Sequence, residues 1–149
     1  LRAPSSIAAG PDGSTPMSYP LLVQPVLDKH CIDCHSGASS AAEINLTGAP
    51  EGSFTASYNA LATRVSFSEW NGSPSANAEP QTQPDVFGAR ASPLMILLLQ
   101  GHQGVELSAE DIERLATWMD ANALFYGTFD PHDQQMQQRG QRIALPARN

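Results

Sequence analysis

The sequence predicts a single-domain, mainly α fold, and three observations carry that reading. Between residues 108 and 119 the apolar side chains Ile112, Leu115, Trp118 and Met119 recur at spacings of three and four, the mark of one buried helix stripe. A second segment is punctuated at both ends, with Ser92-Pro93 before an apolar run and Gly101 after it. Strand-like alternation is confined to short pieces such as residues 64–67. At 149 residues, 41% of them hydrophobic, the chain has material for one core.

Taken in order, residues 1–18 are rich in Pro, Ser, Ala and Gly and read as a linker. The chain begins at Leu1, as expected of a processed product or an excised module. The domain itself is placed at residues 19–129. Its first helix has Pro25 at an opening position, where a missing N–H costs nothing, and Val26 and Leu27 on its apolar side; a short turn from Pro20 precedes it. Helical spacing of Tyr58, Leu61 and Ala62 places a second helix over residues 55–63. Residues 72–84 have three prolines and no period, which predicts a long polar insertion loop. The third helix follows Ser92, and the fourth starts at Ser108 with Asp111 three residues on, a capping-box variant, and acids in its first turns. Residues 130–149 are polar and Gln-rich, and are expected to form a tail on the surface or without order.

Within this frame, Cys31-Ile32-Asp33-Cys34-His35 spells C-x-x-C-H. Two thiols at that spacing can each add across one vinyl group of a haem, and the adjacent imidazole can bind the iron from one face. Competing readings are weaker. A thioredoxin-type redox pair needs a βαβ context. A structural zinc site needs four closed ligands, and here there are three. Cys31 and Cys34 are also the only cysteines in the chain. The expectation is one covalent haem c, held by Cys31 and Cys34, with His35 as the proximal iron ligand.

Two residues compete for the opposite face. Met95 and His102 are seven apart and would share a side of a continued helix, but that separation spans about 10 Å, so only one could reach the iron. Met95 sits within an apolar run, where methionine usually fills core. His102 stands past the helix stop, between Gly101 and Gly104, whose size allows close backbone approach. His102 is preferred, Met95 is the alternative, and an iron open on that side is the third case. His30 is expected to be solvated, and His132 to lie in a turn of the tail. The second nitrogen of His35 is expected to meet a backbone carbonyl between residues 44 and 48.

The arrangement of a C-x-x-C-H helix near the start and a capped helix bearing Leu115-x-x-Trp118 near the end resembles the class I cytochrome c fold. The stretches Gly88-Ala89-Arg90-Ala91-Ser92-Pro93-Leu94, Gly101-His102, Val105-Glu106-Leu107-Ser108, Trp118-Met119-Asp120-Ala121-Asn122-Ala123 and Tyr126-Gly127 resemble the monohaem cytochrome modules of planctomycete proteins. Similar domains are joined to bacterial secreted proteins that degrade polysaccharide. The likeness covers residues 20–129, and the insertion at 72–84 is not matched to it. It implies first and last helices crossing beside the haem, the Gly-His histidine as distal ligand, and transfer of single electrons.

The implied partner is a redox protein or neighbouring domain, such as a copper oxygenase acting on polysaccharide. Net charge of −7 favours a partner with a basic docking patch, and disfavours nucleic acid. No apolar run is long enough to span a bilayer, residues 94–99 being the longest. A monomeric module outside the cytoplasm, periplasmic or extracellular in a bacterium, is the expected setting. The other reading is a haem enzyme or gas binder, peroxidase-like, with an open distal side. The hydrophobic wall expected from Leu97-Leu98-Leu99 offers little of the polar distal chemistry that peroxidases need.

Overall fold

The computed structural model describes residues 15–37, 40–67 and 85–145, and helices dominate it. Helices α1 (Tyr19–Leu22) and α2 (Gln24–His30) each carry a proline in the first two positions and run almost end to end. The chain then turns through a hairpin of two residues per strand, β1 (Pro50–Glu51) and β2 (Phe54–Thr55), antiparallel with Pro50 opposite Thr55. Thr55 caps α3 (Ala56–Leu61) by accepting from the Tyr58 N–H, and a 3-10 turn over Ala62–Arg64 ends it. A further 3-10 turn (Ala89–Ala91) leads into α4 (Pro93–Gln100). Helix α5 (Ala109–Asp120) follows, and α6 (Pro131–Gln138) closes the described chain.

The core is built where α1 and α2 meet α5. Tyr19, Val26, Leu115, Trp118, Met119 and Phe125 are all at most 2% exposed. The Tyr19 ring takes the Trp118 edge at 5.1 Å and lies 5.4 Å from Phe125 in a near-parallel arrangement. Removing an aromatic from such a position costs about 3–5 kcal/mol. Helix α5 is set by the expected capping box: Ser108 Oγ accepts from the Asp111 N–H at 3.1 Å, and the Asp111 carboxylate accepts from the Ser108 N–H.

Two expectations need correction. Ser92 precedes α4 as read from the sequence, but its hydroxyl does not cap the helix. It donates to Gly88 O at 2.7 Å and accepts from the Ser66 N–H at 3.0 Å, lacing two loops together. The polar tail is not a loose end through residue 138. Asp130 caps α6 by accepting from the His132 and Asp133 N–H groups, and Gln137 is buried. Its amide donates to Met17 O at 2.8 Å and accepts from the Gly127 N–H at 3.0 Å, pinning α6 beside α1. Ser18, at the end of the expected linker, is buried and bridges Tyr126. The insertion at 72–84 and residues 1–14 lie outside the described residues.

The Gly88 and Trp118-x-Asp120 pieces, far apart in sequence, meet in space. Asp120 Oδ1 accepts from the Ala89 N–H at 2.7 Å. Gly88 adopts φ +77, and a Cβ there would fall 2.4 Å from that carboxylate oxygen, so a side chain is excluded both by conformation and by space. The contact ties the entrance of α4 to the exit of α5. It thereby positions the segment that carries His102.

Candidate functional site

Helix α2 runs directly into the C-x-x-C-H motif, which keeps helix-like hydrogen bonds after α2 ends. The Cys31 N–H donates to Leu27 O at 2.8 Å, and the His35 N–H to Cys31 O at 3.0 Å. This winding places Cys31 and His35 on one cavity wall, while Cys34 is exposed and lies outside the cavity lining. Both cysteines are free thiols. Burial pushes the Cys31 thiol up to about 11, with Cys34 beside it adding to the rise, so Cys31 is protonated at neutral pH.

The His35 ring is fixed by its second nitrogen. Nδ1 lies 3.0 Å from Ala41 O, and a carbonyl can only accept, so Nδ1 carries the proton. Nε2 is then the atom with a free lone pair. The expected carbonyl lay between residues 44 and 48, and the structure puts it at Ala41 instead. Ala42 and Glu43 adopt positive φ (55 and 57), and this tight turn brings the Ala41 carbonyl back to the ring. Leu46, inside the expected window, contributes its N–H to His35 O at 2.8 Å, so it holds the backbone of His35.

Across the cavity stands His102. Its ring centroid is 6.0 Å from that of His35, and the two ring planes are 16° from parallel. Gly101, at φ +96, ends α4, and Gln103 and Gly104 are also at positive φ, so the chain folds back and carries His102 over the cavity. Because α4 stops at Gln100, the seven-residue relation between Met95 and His102 does not apply. Met95 is 3% exposed within the hydrophobic core and is not among the cavity-lining residues, whereas His102 is.

The space between the histidines is a cavity of about 240 Å³. Its walls are Val26 and Leu27 from α2, Leu61 from α3, Leu94, Leu97 and Leu98 from α4, and Leu115 from α5. The expected Leu97-Leu98-Leu99 wall is thus formed by its first two members, while Leu99 is 64% exposed. A cavity of this kind, almost wholly apolar yet holding two facing imidazoles and a cysteine, suits a flat apolar group with a metal at its centre. Two imidazoles bound to opposite sides of one metal, each at about 2 Å, bring their ring centres to roughly 6 Å apart. The two imidazoles and their separation could therefore hold such a group between His35 and His102, with Cys31 on the same cavity lining.

Two histidines lie elsewhere. His132 is exposed on the first turn of α6, 3.7 Å from Asp133. His30 was expected to be solvated, but its side chain is only 15% exposed and its Nε2 lies 3.0 Å from Asp111 Oδ2. Lys29 Nζ approaches the same oxygen at 3.1 Å, and Ser108 Oγ donates to it at 2.8 Å. Burial opposes the charge on Asp111, but the hydrogen bonds from Ser108, His30 and Lys29 outweigh it and hold the carboxyl well below the usual carboxylate range. This cluster clamps the last turn of α2 to the first turn of α5 immediately before Cys31. No local pattern announces it, because His30 and Asp111 are 81 residues apart.

No protein-family model matches the chain, and no match emerged among curated proteins or among solved structures.

Proposed function

We propose that this chain is a monohaem c-type cytochrome module that passes single electrons to and from a redox partner. The observation that carries the reading is the pair of near-parallel imidazoles of His35 and His102 on an apolar cavity that Cys31, the first cysteine of C-x-x-C-H, also lines. When bound, a haem supplies a one-electron iron couple. Cys31 and Cys34 would tether it through one thioether bond each. His35 would offer Nε2 to the metal, with its orientation held by Ala41 O. His102 would fill the opposite position. The leucines exclude water and lower the local dielectric, which limits reorganisation when charge changes.

Ligation by two histidines favours the ferric state more than His/Met ligation does, and implies the lower potential of the two. His102 opposite His35 also weighs against a peroxidase-like or gas-binding reading, since such chemistry needs that position open. Net charge of −7 suits a partner with a basic docking patch, and association would weaken with salt. A neighbouring oxidoreductase domain, such as a copper oxygenase acting on polysaccharide, is the partner class that the cytochrome-module likeness implies, in a periplasmic or extracellular setting. Among the described residues no helix is long and apolar enough to cross a membrane.

The test is expression in a host with c-type haem attachment machinery, followed by a denaturing gel stained for haem and an intact mass. Haem that stays with the denatured chain, at one per molecule, is the expected result. A chain that loses all haem on denaturation contradicts the proposal.

A further inference from the structure

Arg64 is the one permanently charged side chain among the described residues lining the cavity. It closes the 3-10 turn after α3, and its Nη1 donates to Ala60 O at 2.6 Å. That bond orients the guanidinium and leaves four of its five N–H donors for other partners. Among the described residues no carboxylate forms an ion pair with it.

Beyond Arg64 lies a shallow, open and polar pocket that shares Ala42, Ile44 and Arg64 with the apolar cavity. Asn45, Asn59 and Thr63 add neutral hydrogen-bonding groups to it, and neither cysteine lines it. Glu43 and Glu51 also stand on its walls and oppose negative charge there. An apolar chamber with a polar mouth and a single fixed cation at the junction selects an amphipathic plate carrying carboxylates on one edge. Haem has that form: its vinyl groups lie along one edge and its two propionates along the opposite one. Thioethers at Cys31 and Cys34 commit the vinyl edge to the α2 side, so the propionate edge must leave the cavity away from both cysteines.

Resting on the haem reading above, we propose that Arg64 is the propionate anchor of this site, a positioning residue that sets how the plate sits between His35 and His102. A planar guanidinium can hold a carboxylate through two parallel hydrogen bonds, which lysine cannot reproduce.

The experiment compares wild type, R64Q and R64K as haem-loaded chains, using haem content, the propionate bending band in resonance Raman, and midpoint potential from pH 5 to 8. In wild type a propionate paired with Arg64 stays ionised throughout, and the potential is nearly flat. In R64Q the propionate titrates within the window, so the potential rises as pH falls and the Raman band shifts. R64K keeps the flat profile but shifts the band, because the charge remains and the fork is lost. Should R64Q accumulate too little loaded protein, R64K decides alone: a shifted band supports the anchor and an unmoved one overturns it. Loaded R64Q with the wild-type band and pH profile overturns the anchor while leaving the cytochrome reading intact. Absence of covalent haem from the wild-type chain overturns both.

Discussion

Replacing Asp111 with Asn tests the clamp that holds α2, and with it the C-x-x-C-H turn, against α5. Asp111 Oδ2 receives Ser108 Oγ at 2.8 Å, His30 Nε2 at 3.0 Å, and the Lys29 ammonium and Ser108 N–H at 3.1 Å each. Lys29 is 60% exposed, so its share is small. The other contacts are charge-assisted bonds to a carboxylate that is 11% exposed. Each is worth about 1.5–3 kcal/mol, against about 1 for a neutral bond. Asn keeps the shape but loses the charge, so D111N should be about 2–3 kcal/mol less stable at pH 7. The pH dependence has a fixed sign. The folded carboxyl of Asp111 titrates below its unfolded value of about 3.9, so its contribution is complete above that value and is lost as pH falls below it. Urea unfolding followed by far-UV circular dichroism should therefore show a wild-type advantage that is present at pH 5 and shrinks by pH 3. A D111N variant within 0.5 kcal/mol of wild type at pH 7 (about the scatter of surface substitutions), or a gap that does not narrow in acid, would refute the reasoning.

Other expected outcomes follow from the same contacts. Q137A removes the amide that serves Met17 O and the Gly127 N–H, and should cost about 2 kcal/mol by leaving both groups unpaired, read as a lower urea midpoint with an unchanged haem spectrum. H102A opens one side of the site: the ferric spectrum should become high-spin, carbon monoxide should bind the ferrous form, and added imidazole should restore the low-spin spectrum. The double variant C31S/C34S should release its haem on denaturing gels while any haem bound without thioethers keeps histidine ligation.

How much of this could be read from sequence depended on how local each signal is. The C-x-x-C-H motif and the Ser108–Asp111 capping box declare themselves because their chemistry lies within five residues. His102 was favoured by a loop argument, and Gly101 does end α4 and redirect the chain. What sequence could not supply was the 6.0 Å separation from His35, because it is a distance between segments more than sixty residues apart in the chain. Helix α6 escaped because it docks through a glutamine amide rather than an apolar stripe, although Asp130-Pro131 is a legible helix start. His30 was misread because its partner lies on another helix. The Ala41 carbonyl was missed because two successive non-glycine residues at positive φ are rare and no sequence pattern announced them.

The central claim, that His35 and His102 bind one covalent haem iron from opposite sides, is tested most directly by near-infrared absorption and low-temperature electron paramagnetic resonance of the oxidised, haem-loaded wild type. The account predicts low-spin iron, no sulfur-to-iron charge-transfer band, and the rhombic signal that imidazole planes 16° from parallel should give. A sulfur band would hand the distal position to Met95, and a high-spin signal would mean an open iron; either would contradict the account.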